Sequence, residues 1–308
     1  MNRFVIACHG WSASNYVSYV LNQHPSISCA HSSAAILSND KSIFDGDGLK
    51  KSIPALRSGY LKRISESIDC RYDALEKEVG TIESGSNCFL GTVHTYRMRD
   101  LPEQLINHEI KYIYPVWNLV RNPFDLVISG YGQFLDLFQI DINEYAWSLN
   151  KLVRVEGAIQ AVEKAASLGG KAPGDYQIIC FASACAVLGS LELDIKAINE
   201  ISGNGKIPFD YRGIIRMEDI IGNDNGFSEF ISDLSGGNIF STEEYRKKIR
   251  GIGKINRHHR SAPDGSAKRW EQLSIWQKEL FIYFFSHFEL RGFYESIGYD
   301  FSFLDAGA

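Results

Sequence analysis

The chain has 308 residues, 44% of them hydrophobic and 22% charged, with a formal net charge of −5. That composition is globular and long enough for one large α/β domain or two small ones. The acidic balance argues against nucleic acid or an anionic membrane as partner, so any anion site has to be local. The six cysteines (Cys8, Cys29, Cys70, Cys88, Cys180, Cys185) form no C-x-x-C pair. Several sit in apolar runs, which predicts small buried residues in a reducing compartment. The N-terminus opens almost directly on a strand, without a charged segment leading into a long apolar one. No apolar run looks long enough to span a bilayer, and the expectation is a soluble, cytoplasmic protein without stable membrane insertion.

In chain order, Phe4 to Cys8 reads as a strand, His9 to Asn15 as a small polar loop, and Tyr16 to Leu21 as a helix ended by His24-Pro25. Ser26 to His31 is a second short strand, and Ser38 to Gly48 a loop. Leu49 to Val79 carries helical apolar spacing, interrupted near Cys70, before a turn-rich break from Gly80 to Asn87. Cys88 to His94 is a third strand that ends on a histidine. Leu101 to His108 is a short helix with Pro102 near its first position. Tyr112 to Val120 is a nearly continuous apolar strand, broken by Arg121-Asn122-Pro123, and Asp125 to Leu137 starts a helix. Ile142 to Leu168 and Tyr176 to Ile201 read as helices, Tyr211 to Met217 as a fifth strand, and Phe227 to Leu234 as a helix. Gly236 to Ser266 reads mostly as loop, with a basic cluster from Arg257 to Arg260. Trp270 to Gly292 reads as one long aromatic-rich helix.

Strands alternating with helices predict an α/β fold: a mostly parallel central sheet flanked by helices, organised as one domain over 1–308. Ligands of such sheets sit at the carboxyl ends of the strands, near a topological switch point. Ser12, His94 and Arg121 all fall just past predicted strand ends. The strand-loop-helix around Ser12 would aim free backbone N–H groups and a positive helix end at one spot, which suits a phosphate or sulfate. An ordinary βα turn fits the same stretch, and the Walker motif G-x-x-x-x-G-K-[ST] is absent from the chain. His94 suits a general base for a hydroxyl proton, or is a satisfied histidine at a strand end. Arg121 can fork onto a phosphate, or pair with Asp125 or Glu218. Ser129 lies one helix face further on. Lys268-Arg269 and the Arg257–Arg260 cluster form the densest positive stretch, which a solvated loop also explains. Glu218-Asp219 reads as helix-capping or arginine-holding, and the aromatics of Trp270 to Tyr294 as core.

Taken together, these positions resemble the sulfotransferase family, which uses 3'-phosphoadenosine 5'-phosphosulfate (PAPS). Gly10-Trp11-Ser12-Ala13-Ser14-Asn15-Tyr16 stands where the family has P-K-S-G-T-T-W. Thr92-Val93-His94, followed by Leu101-Pro102, stands for K-T-H and L-P. Arg121 to Tyr131 matches R-N-P-x-D-x-x-x-S-x-Y completely. Arg216-Met217-Glu218-Asp219-Ile220 is similar to R-Y-E-D-L, and Lys268-Arg269-Trp270 with Gly298-Tyr299 to the family's ending. The order spans nearly the whole chain.

The resemblance implies a P-loop-like sulfotransferase architecture and a set of roles. Residues Trp11, Ser12, Ala13, Ser14 and Asn15 would hold the 5'-phosphosulfate, and Tyr16 would lie against adenine. Arg121 and Ser129 would grip the 3'-phosphate, with Lys268 and Arg269 assisting. His94 would deprotonate the acceptor hydroxyl of a small molecule, glycan or lipid, leaving the product PAP, with no metal required. The chain departs from the pattern at four places. Trp11 replaces the loop lysine, Ala13 the loop glycine, Thr92 the lysine of K-T-H, and Pro263-Asp264-Gly265 the R-K-G. Losing one group that stabilises a developing charge costs ~2.7–4 kcal/mol, so either His9 or Lys268 takes over or catalysis is weak. Two alternatives follow: a catalytically degenerate PAP/PAPS-binding protein, and a small-molecule kinase, which the missing Walker lysine disfavours.

Overall fold

The computed structural model describes residues 2–10, 12, 14–31, 66–79, 89–140, 176–202, 208–221, 224–237, 243–252 and 265–305. The expected loop at 38–48, the break at 80–87, the helix at 142–168 and the basic cluster at 257–260 lie outside them. The chain separates into two compact units, one from 1–121 and 196–257, the other from 122–195 and 258–308.

The first unit is built on five parallel strands. They are β1 (Asn2–Cys8), β2 (Ile27–His31), β3 (Phe89–Val93), β4 (Tyr114–Val120) and β5 (Phe209–Arg216), in the order β2-β3-β1-β4-β5. The fold is therefore α/β with an all-parallel central sheet flanked by helices. β1 is buried from Arg3 to Cys8, as expected of a strand covered on both faces and paired on both edges. Its alternate residues Phe4, Ile6 and Cys8 join a core with Val17, Val20 and Leu21 of α1 (Ser14–Leu21). The same core takes in Phe227 and Ile231, from a helix at Asp224–Leu234, and Tyr245 and Ile249, from one at Glu243–Ile252.

Two glycines answer to close geometry. A Cβ on Gly91, opposite Phe4 in the β1–β3 register, would lie 2.0 Å from the Phe4 ring. In β5 the register with β4 shifts between Val116 and Trp117, and Gly213 there has φ 134°, a conformation that side chains rarely adopt. At the amino edge of the sheet, Arg3 pairs with Asp73 at 2.6 Å and Glu76 at 3.2 Å, both on α2 (Ile68–Val79), and stacks on Tyr112. Burial alone would lower the Arg3 pKa, but its hydrogen bonds to Glu76, Asp73 and Tyr114 reverse this and keep the guanidinium charged. Asp69 accepts hydrogen bonds from the Tyr114 hydroxyl and the Lys111 amide, both at 2.7 Å. These contacts tie β1, β4 and α2 together.

The next helices of the chain are α3 (Asp100–Asn107), α4 (Pro123–Ile140), α5 (Tyr176–Ser202), α6 (Met217–Ile220), α7 (Asp224–Leu234) and α8 (Glu243–Ile252). After them come α9 (Ser266–Glu271), α10 (Ile275–His287), α11 (Leu290–Ser296) and α12 (Ser302–Asp305). The division between the units falls between Ile195 and Lys196, within α5. Some readings need correction or refinement. The break expected near Cys70 falls just before α2, at residues 66–67, and Cys70 itself is an exposed residue on that helix. Within the stretch 236–266, read mostly as loop, residues 243–252 form the helix α8: Tyr245 and Ile249, four apart, bury one face, and Glu243 and Glu244 favour its positive N-terminal end. The aromatic stretch from Trp270 is three helices rather than one. Ser274 and Gln277 form a capping box that starts α10, and Glu289, with φ 51°, separates α10 from α11. Finally, α5 is long and apolar enough to cross a membrane, but 78% of its most apolar window is buried inside the fold, as in a core helix.

In the second unit Phe124 packs edge-on against Trp270 and Phe281, with ring centroids 5.6 and 5.3 Å away. Phe181 of α5 packs against Tyr131 and Trp276. The aromatics from Trp270 onward are thus core residues. Cys8, Cys29, Cys180 and Cys185 are buried.

The Phe4–Gly91 contact leaves no room for even one methyl group. Gly91→Ala is expected to cost about 1–3 kcal/mol through overpacking, read as a lower melting temperature. Adding Phe4→Leu should recover part of the loss, and an unchanged melting point for the single variant would contradict this packing.

Candidate functional site

Because every strand runs the same way, all the carboxyl ends share one edge of the sheet. From β1 the chain leaves to β2 and β3 on one side, then crosses to β4 and β5 on the other, so β1 lies at the switch point. The loop from His9 to α1 emerges there.

The connection after β3 continues the pairing alongside β1. The His94 amide donates to the Ile6 carbonyl, and the Cys8 amide donates to the Tyr96 carbonyl, both at 3.2 Å. His94 itself takes a left-handed backbone, φ 61°. A residue with a Cβ adopts it at a cost of about 1–2 kcal/mol. The turn lays the imidazole against the loop, with Nε2 3.8 Å from where a Cβ on Gly10 would stand. On the far side of β1, Cys8 is level with Leu119, so Gly10 and Arg121 each lie two residues past that pair. Neighbouring parallel strands are about 4.8 Å apart. Arg121 is 8% exposed, so its charge is held within the fold rather than on a flexible arm.

Within the loop, Ser12 is buried and its hydroxyl makes no hydrogen bond. Ser14, the first residue of α1, is 2.9 Å through Oγ from Nε2 of His31, the last residue of β2. The His31 ring in turn lies 5.5 Å from the His94 ring, centroid to centroid. His9 is buried too. Its pKa is pushed well below the usual histidine range, first by desolvation and then by the charges of Arg97 and Arg99. A neutral His9 cannot replace a loop lysine. Among the described residues no group of histidines, cysteines and carboxylates could hold a metal ion.

The structure brings Ser12, Ser14, His94 and Arg121 to the carboxyl ends of the three adjacent strands β3, β1 and β4. Trp11 and Ala13 lie outside the described residues. Asn15 is half-buried at the start of α1. Tyr16 sits in the hydrophobic core, 5% exposed and edge-on to Phe227, so its ring is committed to packing. Thr92 is fully buried and 3.2 Å from the Tyr72 hydroxyl. Ser129, Lys268 and Arg269 belong to the second unit. There Lys268 is exposed, while Arg269 pairs with Asp125 at 2.7 Å and Ser266 also bonds to that carboxylate.

Part of the Arg121–Tyr131 motif has a local explanation. The Asn122 side chain accepts from the Phe124 amide at 2.9 Å, Pro123 takes the first helical position, and Asp125 sits in the first turn of α4. Those are the residues a helix start selects by itself. Arg121 and Ser129 are left without a capping role. Asp219 holds Arg216, the last residue of β5, in a bidentate ion pair with contacts of 2.6 and 2.7 Å. Sequence reasoning missed His31, Arg97 and Arg99 as parts of the site. The signal for His31 was the one used for His94, a histidine closing an apolar strand.

The depressed His9 pKa makes stability depend on pH with a definite sign. The unfolded chain takes up a proton at His9 near pH 6.5, and the folded chain does so only at much lower pH. Stability contributed by the neutral ring is complete above pH 6.5 and is lost as pH falls below it, by up to about 1.4 kcal/mol per pH unit. Urea unfolding at pH 7.5 and 5.5 should show this loss, with His24, also lowered by burial, adding to it. His9→Asn should flatten the slope, and an equal slope in both proteins would contradict the assignment. No protein family, curated protein or solved structure matches this chain.

Proposed function

We propose that this protein is a sulfotransferase that moves a sulfo group from PAPS to the hydroxyl of a small-molecule, glycan or lipid acceptor. One observation carries the reading. Ser12, Ser14, His94 and Arg121, drawn from three separate motifs, lie at the ends of three adjacent parallel strands around the switch point. In this reading the acceptor hydroxyl gives its proton to His94 as its oxygen attacks sulfur. The bond from sulfur to the bridging oxygen breaks, and the 5'-phosphate of PAP leaves with the electron pair. The α1 N-terminus and the hydroxyls of Ser12 and Ser14 stabilise the charge that develops there. Arg121 holds the 3'-phosphate as a charge-assisted donor. Adenine needs a surface other than the Tyr16 ring, which is packed in the core.

A second reading, a catalytically degenerate PAP-binding protein, is favoured by two facts. No lysine or arginine occurs from Phe4 to Leu21, and Thr92 is sealed beneath Tyr72. PAP binding without PAPS turnover across a broad acceptor panel would select it.

The discriminating experiment is a thermal-shift comparison of PAP, ATP and adenosine 5'-phosphate. A ligand at a hundred times its Kd stabilises by about 2.7 kcal/mol, and PAP should give the largest shift. A larger shift with ATP would favour a kinase. His94→Ala should cut kcat by roughly 10²–10⁴-fold while leaving the Kd for PAP nearly unchanged; undiminished turnover removes His94 from the mechanism. Arg121→Ala should weaken PAP binding by about tenfold or more, and an unaltered Kd would contradict its role.

A further inference from the structure

β2 is an edge strand, paired with β3 and covered by α1. Each neighbour presents one polar group to His31 at its end: Ser14 Oγ from α1 at 2.9 Å, and the His94 ring from the end of β3, 5.5 Å between centroids and tilted by 52°. Ser14 and His31 are 6% and 9% exposed, so this is a buried contact.

A ligand at this spot is indicated by more than the helix end. Buried hydroxyls are ordinarily paired, yet Ser12 Oγ, in the same loop, is buried and makes no hydrogen bond. An anion here would meet hydroxyls and amides, but no cationic side chain from residues 4–21, which contain neither lysine nor arginine.

The direction of the Ser14–His31 hydrogen bond decides what the pair can do. A serine hydroxyl has one proton to give. If Ser14 gives it to His31, only lone pairs remain to face an anion. To donate to an anion, Ser14 must accept from His31, and Nε2 must then carry a proton. A bound anion favours the imidazolium over the neutral ring.

We propose that His31 is a positioning residue: in its protonated form it turns the Ser14 hydroxyl toward a phosphate- or sulfate-type anion at the start of α1 and supplies the positive charge that the loop lacks. The proposal rests on reading that loop as an anion site. It also sets the state of His94. An imidazolium at 5.5 Å disfavours a second proton on the neighbouring ring, so one histidine is charged for binding and the other neutral to accept a proton. The third histidine, His9, is kept neutral by burial beside Arg97 and Arg99 and does not compete for the role.

The test is isothermal titration calorimetry of PAP, and separately of inorganic pyrophosphate, into the full chain at pH 6 and pH 8. Each titration is run in two buffers of different ionisation enthalpy. Binding should take up a proton. From pH 6 to pH 8 the wild-type affinity should fall about tenfold more than that of His31→Asn, which donates but does not titrate. Equal pH dependence in the two proteins, or binding of neither probe, overturns the proposal. Binding of pyrophosphate without PAP, with the His31 effect intact, sinks the sulfotransferase reading and leaves the role of His31 standing. An NMR titration of the wild-type protein guards against a variant that fails to fold. The His31 pKa should rise by about one unit or more when pyrophosphate binds, and an unmoved value overturns the proposal.

Discussion

The candidate site depends on the pairing of β1 along both edges. Hydrogen-bonded to β3 and β4 and buried on both faces, β1 fixes where its own loop emerges and what stands beside it. Parallel strands then place the loop after β1, the turn at His94 and the break at Arg121 on one edge without any long-range side-chain contact. The pairing continues past the end of β3 through the amides of His94 and Cys8. The tolerance is small, since the Phe4 ring fills the space a Cβ on Gly91 would need. The opposite end of the sheet is locked by Arg3, Asp69 and Tyr114, which hold β1, β4 and α2 together through buried or half-buried polar contacts.

The electrostatics of the edge are built from dispersed parts. A loop lysine would bring its own charge on a flexible stem. Here the loop offers hydroxyls and the end of a helix dipole, and charge comes from elements on either side: Arg121 after β4, and Arg97 and Arg99 after β3. Burial separates the histidines by function. His9 is desolvated next to two guanidinium groups and stays neutral, whereas His31 lies against both Ser14 and the His94 ring. Neighbouring titratable rings in unequal surroundings are a common way for a site to hold one charged and one neutral group near pH 7.

In the second unit, residues of the Arg121–Tyr131 motif have a structural role of their own. Asn122, Pro123 and Asp125 start α4 as capping residue, first helical position and first-turn acid, and Asp125 also binds Arg269 and Ser266. A match over those residues therefore reports a helix start as much as a ligand. Arg121 and Ser129 carry whatever functional weight the motif has.

Strand and helix order, the parallel sheet and the placement of Ser12, His94 and Arg121 at strand ends were legible in the residues, because each rests on local apolar periodicity and on breaks at Gly and Pro. Helix limits at α8 and between α9 and α11 were not. They turn on a two-residue apolar face in a charged stretch, on a side-chain capping box and on one left-handed residue, all of which outweigh average periodicity. The fate of Tyr16 was also hidden, since helical spacing cannot tell a core-facing ring from a ligand-facing one until α7 brings Phe227 against it. The sequence by itself determined which groups end each strand. The tertiary structure alone decided that His31 meets Ser14 and His94, because strand order and register, rather than proximity along the chain, select which strand ends become neighbours.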